Sequence, residues 1–104
     1  MILYEIEKTL LFDRWFKNLK DNQTKIRIGL RLKKVVQGHF GDHKQLSRNL
    51  FELRFFFGAG YRVYYTIKNG KVILLLNGGA KDSQGADIAK AQQIIEKLEV
   101  DNDH

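Results

Sequence analysis

At 104 residues, with 43% hydrophobic and 12% aromatic residues, the chain can bury one core, lacks the length for a second, and is excluded as a disordered polymer. It holds no cysteine, which removes disulfide frameworks, thiolate metal sites and thiolate nucleophiles. The formal charge of +6 is concentrated between Arg14 and Arg48, whereas the segment after Ile95 is acidic; a basic half fits a phosphate-rich partner, bound by releasing counterions, and equally an acidic protein or a merely solvated helix face.

Met1 to Lys8 opens with Ile2, Tyr4 and Ile6 alternating with Leu3, Glu5 and Glu7, the period of a strand. Charges interrupt this stretch, and no apolar run is long enough to span a bilayer. Neither a signal peptide nor a membrane anchor is expected, and the cytoplasm is the expected compartment. Leu11, Phe12, Trp15, Phe16 and Leu19 then share one helical face, with Asp13, Arg14, Lys17, Asn18 and Lys20 on the other.

The next segment, Gln23 to Gly38, carries two patterns. Ile26, Ile28, Leu30 and Leu32 alternate with Arg27 and Arg31 as in a strand, yet Ile28, Leu32, Val35 and Val36 also share a helical face that stops at Gly38. Its length favours a helix, the second arm of a helical hairpin. A polar loop follows, holding His39 and His43 without a third metal-ligand partner.

The period then changes to two. Leu50–Phe57 and Tyr61–Ile67 are separated by Gly58, Ala59 and Gly60, and the second run joins Lys71–Leu76 through Asn69-Gly70, a strong hairpin signal because both positions accept positive φ. Val72 to Leu76 is apolar on both faces, as a central strand covered on both sides would be. Ile88, Ala91, Ile95 and Leu98 form the stripe of a last helix, with Asp82 or Ser83 as its N-cap. The order is β-α-α-β-β-β-α, an α+β fold in one domain over residues 1–104, with a flexible acidic tail expected from about residue 99.

A three-residue loop at Gly58–Gly60 would set Phe55 opposite Val63 and Leu53 opposite Tyr65, and the Asn-Gly turn would add Val63 opposite Leu76 and Tyr65 opposite Leu74. That face is the expected core. The other would carry Glu52, Arg54 and Phe56 beside Arg62, Tyr64 and Thr66, with Arg54 opposite Tyr64 and diagonal to Arg62, and Arg62 opposite Asn77. Lys81 follows the central strand and could reach the same side. A wet sheet face alone would explain such charges, but two arginines on adjacent strands of a basic chain also suit a polyanion.

The stretch from Leu50 to Ala91 resembles the RelE/ParE toxin superfamily, in its addiction module killer (HigB-like) branch. The resemblance rests on Glu52-Leu53-Arg54, on Gly60-Tyr61-Arg62-Val63-Tyr64-Tyr65, on Gly78-Gly79 with Lys81 and Gln84, and on Asp87-Ile88 followed by Ala91; Gly41-Asp42 with Lys44 also fits. It implies a helical hairpin on a mostly antiparallel sheet, and a toxin neutralised by a small antitoxin, usually a helix-turn-helix protein. Many RelE-like members cleave mRNA, commonly on the ribosome, whereas ParE-like members act on DNA gyrase. By the same resemblance Arg54, Arg62 and Lys81 occupy basic site positions. Glu52 stands where the family has another basic residue, and Ile88 falls near a tyrosine of some members, which leaves the general base open.

The implied reaction is attack of an RNA 2′-hydroxyl on the adjacent phosphorus. Arg54 and Arg62 suit the accumulating charge, since guanidinium binds phosphate bidentately and stays protonated. Lys81 would bind phosphate or protonate the leaving oxygen, and Tyr64 or Lys44 are candidates for proton transfer. Lys44, Arg48, Asn77 and Gln84 are expected to contact RNA. No metal and no cofactor is expected. The alternatives are a ParE-like gyrase inhibitor and a non-catalytic RNA-binding member of the fold.

Overall fold

Thr9 and Asp21 start the two helices. Thr9 is extended; its hydroxyl accepts from the amide of Phe12 at 3.0 Å and donates to the carbonyl of Leu76 at 2.6 Å. One side chain thus caps α1 (Leu10–Lys17) and pins it to β5 (Val72–Gly79). The Asp21 carboxylate accepts from the amide of Gln23 and the hydroxyl of Thr24, at 3.0 and 3.1 Å, and opens α2 (Asn22–Val36). The segment with two patterns is therefore helical as far as Val36 and stops at Gly38, which takes positive φ. Ile28 and Val35 turn inward, while Ile26 and Leu30, which supplied the strand-like alternation, stay exposed.

The computed structural model describes residues 3–102, and side chains as far as Glu99. The first strand, β1, runs from Glu5 to Lys8; Met1 and Ile2 of the expected strand lie outside the described residues, as does the end of the acidic tail. With β2 (His43–Gln45), β3 (Phe51–Arg54) and β4 (Arg62–Lys68), the sheet has the order β1-β5-β4-β3-β2. Among the described residues, only the pairing of β1 with β5 is parallel. The expected first strand thus joins one edge of the three-stranded meander, and one unexpected strand, β2, is added at the other. His43, expected in a loop, is paired with Leu53 in β2; three consecutive exposed polar residues give an edge strand no alternation to read.

Val72–Leu76 has cover on both sides, as its composition demands. The hairpin of α1 and α2 buries Leu53, Phe55, Val63, Tyr65, Ile73 and Leu75 on one face. On the other, α3 (Gln84–Asn102) closes over Leu50, Tyr64, Leu74 and Leu76 with Ala91 and Ile95. The glycines at the end of β5 permit this double approach, for a Cβ at Gly78 would collide with the Trp15 ring and one at Gly79 with the Asp87 carboxylate. A 3-10 turn, Lys81–Ser83, precedes α3, and Ser83 donates its hydroxyl to the Asp87 carboxylate at 2.5 Å instead of capping the helix.

The registers differ from the expected ones in two places. Between β3 and β4 the loop has five residues, Phe56–Gly60, closed by Phe55 N–H donating to the Tyr61 carbonyl. Gly58 and Gly60 both take positive φ within it, a conformation open to glycine. The offset is even, hence the faces survive while partners change: Leu53 pairs with Val63, Phe51 with Tyr65, and Arg54 with Arg62. Between β4 and β5, one residue is added at the Asn69-Gly70 turn and one at a bulge at Tyr64/Tyr65. Ile73 and Leu75, not Leu74 and Leu76, therefore join Tyr65 beneath the helical hairpin. Five apolar residues in succession leave the parity of such a strand unspecified.

Arg31 fastens α2 to the sheet. Its guanidinium donates to the carbonyls of Phe40, Asp42 and Arg54 at 2.8, 2.6 and 3.0 Å and lies over the Phe55 ring. Removing it leaves three carbonyls without their charged donor, so Arg31→Met should cost about 3–5 kcal/mol in denaturant unfolding. Exposed Arg27, stacked on Phe57, should cost under about 1 kcal/mol when changed to Met.

Candidate nucleic-acid interface

One end of the sheet gathers the basic residues. Arg54 ends β3, Arg62 directly opposite begins β4, and Lys81 follows β5, its amide donating to the carbonyl of Ala59 in the loop between them at 3.3 Å. Both arginines lie on the same side of the hairpin. The side itself, however, is not the open wet face expected. Because β5 needs α3 over its second apolar face, Glu52, Arg62, Tyr64 and Asn77 are all buried.

Each arginine has a carboxylate partner. Arg54 Nε lies 3.3 Å from Asp42 Oδ2, in a pair about one-third exposed. Arg62 Nε lies 3.9 Å from Glu52 Oε2, and Arg62 is only 6% exposed. Two free guanidinium groups are therefore not what the fold builds, since a carboxylate carried into the α3 interface requires a cation beside it. The Arg62 pair is nonetheless loosely satisfied. Glu52 Oε2 accepts from Gln84 Nε2 at 2.8 Å, whereas Arg62 Nε has no hydrogen-bond partner among the described residues and Nη1 reaches the Tyr61 carbonyl at 3.5 Å.

Other expected contacts separate by burial and by position. Asn77 is buried and donates to the Asp87 carbonyl at 3.0 Å, tying α3 to β5; Gln84 is committed to Glu52. Both act inside the fold, not on its surface. Lys44 is exposed on the edge strand opposite Glu52. Arg48 lies in the turn between β2 and β3, at the far end of β3 from Arg54, and does not join the cluster. Tyr64 is fully buried, and burial, followed by the neighbouring Glu52 carboxylate, holds its phenol well above the ordinary value. A proton carrier for an incoming substrate cannot sit there.

Phe56, to which the sequence pattern assigns no role, is the most exposed large apolar side chain described, at 73%. The guanidinium carbons of Arg54 and Arg62 stand 5.5 and 5.9 Å from its ring centre. Beside it a groove of about 300 Å³ runs to α2, lined by Arg27, Leu30, Arg31, Lys34, Arg54 and Phe55–Phe57, with Asp42 its one carboxylate. Basic residues of α2 thus continue the cluster, which helical periodicity shows only once the hairpin is seated.

A family model described as phage derived protein Gp49-like (DUF891) matches residues 14–99. This chain belongs to the Gp49-like family. An uncharacterized protein of Haemophilus influenzae is 42% identical over 94 residues, 90% of this Gp49-like chain and 95% of the relative. Among solved structures, a mutant of the E. coli toxin RelE in the free state is similar to it over 91% of this chain and 99% of its own, with a TM-score of 0.72 at 14% identity. A chain of the intact E. coli RelBE toxin-antitoxin complex covers 74% of this chain and 95% of its own, with a TM-score of 0.60 at 13% identity. The Gp49-like chain thus has the RelE fold, the α+β arrangement anticipated from its elements. Among the described residues, no helix is long and apolar enough to cross a membrane.

Two expectations follow for the buried phenols. The Tyr64 hydroxyl has the Glu52 carboxylate beside it but no well-formed hydrogen bond among the described residues, so Tyr64→Phe should change stability by no more than about 1 kcal/mol at pH 7. Tyr65 is also raised by burial, to about 12. Above about pH 10 the unfolded chain releases phenolic protons that the folded chain keeps, so stability should fall by about 1.4 kcal/mol per pH unit for each buried tyrosine. Chemical denaturation between pH 9 and pH 11, roughly the window about the ordinary tyrosine value, should show a shallower decline for Tyr64→Phe than for the parent.

Proposed function

We propose that this Gp49-like chain is the toxin of a toxin–antitoxin pair and acts in the cytoplasm as a metal-independent endoribonuclease on mRNA, on the ribosome as the HigB-like resemblance implies. The observation that carries the reading is the cluster of Arg54, Arg62 and Lys81 at one end of β3, β4 and β5, on a fold shared with RelE. Its partner would be a small helix-turn-helix antitoxin, and the basic cluster is the surface such a protein would have to close.

In this reading the RNA 2′-hydroxyl attacks the adjacent phosphorus, the bond to the 5′-oxygen breaks, and the products are a cyclic phosphate and a free 5′-hydroxyl. A docking phosphate competes with Asp42 for the partly exposed Arg54. It also draws on the Arg62 guanidinium, whose five donors are poorly used inside the fold. Exposed Lys81 is the side chain suited to protonate the departing 5′-oxygen. One observation favours a second reading, an RNA-binding member without cleavage chemistry: Tyr64 is sealed under α3 and Lys44 stands on the edge strand, so Lys81 is the expected proton carrier left at the cluster.

Arg54→Ala and Lys81→Ala change surface groups and should leave folding intact while lowering cleavage on the order of a hundredfold each. Expression of the chain alone, with sequencing of RNA 5′ ends, reads this out. Trapped gyrase–DNA complexes without new RNA ends would overturn the proposal, and harmless expression with intact RNA would support the second reading. Arg62→Ala is the less clean probe, since stranding buried Glu52 should cost about 3–5 kcal/mol. Pairing it with Glu52→Gln should recover the fold without recovering cleavage.

A further inference from the structure

The run Phe55-Phe56-Phe57 divides its rings. Phe55 is buried in the core beneath the helical hairpin, and Phe57 leans on Phe55 and Tyr61 with Arg27 above it. Phe56, between them, is turned out to solvent. Its backbone is held from both sides, for the loop is closed at Phe55 and Tyr61, turned by a Gly60 amide donating to the Phe57 carbonyl, and tied to the end of β5 through Ala59 and Lys81. An aromatic ring is thus presented on an anchored loop, at a loss of apolar burial that nothing in the core requires. Two guanidinium groups stand over the ring, one paired with Asp42 and the other with Glu52.

Rings presented to solvent among cations match one chemistry well. Proteins that hold single-stranded nucleic acid combine a basic groove that follows the phosphates with aromatic side chains on which bases stack. Arg27 and Lys34 of α2 line the groove that meets Phe56, and Arg54 joins the two. An acidic protein segment would use the cations but gain little from an open aromatic face, and a paired helix would offer no free base to it.

We propose that Phe56 is a stacking platform for an unpaired nucleobase, with the adjoining phosphates held by Arg54 and Arg62 and by the row Arg27 and Lys34. The inference rests on the RNA reading and deepens it, because it selects a single-stranded target and sets the base that stacks beside the phosphate under attack. Phe56 is a positioning residue here, and its substitution acts through the placement of the RNA.

The test uses the full chain and a short unstructured RNA carrying 2′-methoxy groups, which binds without being cut, beside the same backbone with abasic positions. Phe56→Leu should keep the parent's thermal midpoint, bind the base-bearing RNA roughly 5- to 100-fold more weakly, and bind the abasic strand as the parent does. Phe56→Trp should restore binding of the base-bearing strand. If the parent binds that RNA and Phe56→Leu binds it equally well, the platform is overturned while the RNA reading stands. If the parent binds neither strand, the platform is overturned, and the RNA reading is decided separately by the sequencing of RNA 5′ ends.

Discussion

The buried contact between Glu52 and Arg62 is the constraint around which the second layer of this protein is arranged. β5 is apolar on both faces, so α3 must lie across β4 and β5, and doing so carries a carboxylate and a guanidinium out of water together. Taken singly either charge would be costly there. Held at 3.9 Å, they balance in charge without exhausting their hydrogen-bonding capacity, and Arg62 Nε, Glu52 Oε1, Tyr64 Oη and Asn77 Oδ1 are left without partners among the described residues. Buried donors in that state favour an incoming anion more than a saturated pair would.

The same layer explains the division of labour among the polar residues. Asn77 and Gln84 hold α3 down, through the Asp87 carbonyl and the Glu52 carboxylate. Arg31 does the corresponding work on the opposite side, binding three carbonyls so that the loop carrying Asp42 meets the end of β3. Asp42 in turn orients Arg54. The surface groups that remain for a ligand, Arg54, Phe56, Lys81 and the outer residues of α2, are therefore set by interior contacts and not by the loops alone.

Much of this architecture is legible in the residues. The apolar helical face of Phe12, Trp15 and Phe16, the Asn69-Gly70 turn and the stripe from Ile88 to Leu98 each have a local physical cause and each forms, although Leu11 stays exposed and the first helix ends at Lys17, before Leu19. Parity along β3 and β4 is equally local, which is why Arg54 and Arg62 share a side despite a loop two residues longer than expected. Other features depend on partners distant in the chain. β2 is polar and draws its pairing from β3, and the parallel contact of β1 with β5 leaves no pattern in either segment. The burial of Arg62 follows from α3 crossing a sheet face that alternation alone marks as solvent-facing.

The central claim is that a nucleic-acid phosphate meets the chain at the shared end of β3, β4 and β5. Heteronuclear NMR of the arginine Nε–H groups, followed while an uncleavable single-stranded RNA is added, addresses it directly. The Arg54 and Arg62 resonances should move together and saturate with the RNA, because Arg54 exchanges Asp42 for phosphate while Arg62 keeps Glu52 and turns its unused donors to the same phosphate. Saturable binding that leaves both resonances unmoved would place the ligand elsewhere and contradict the account.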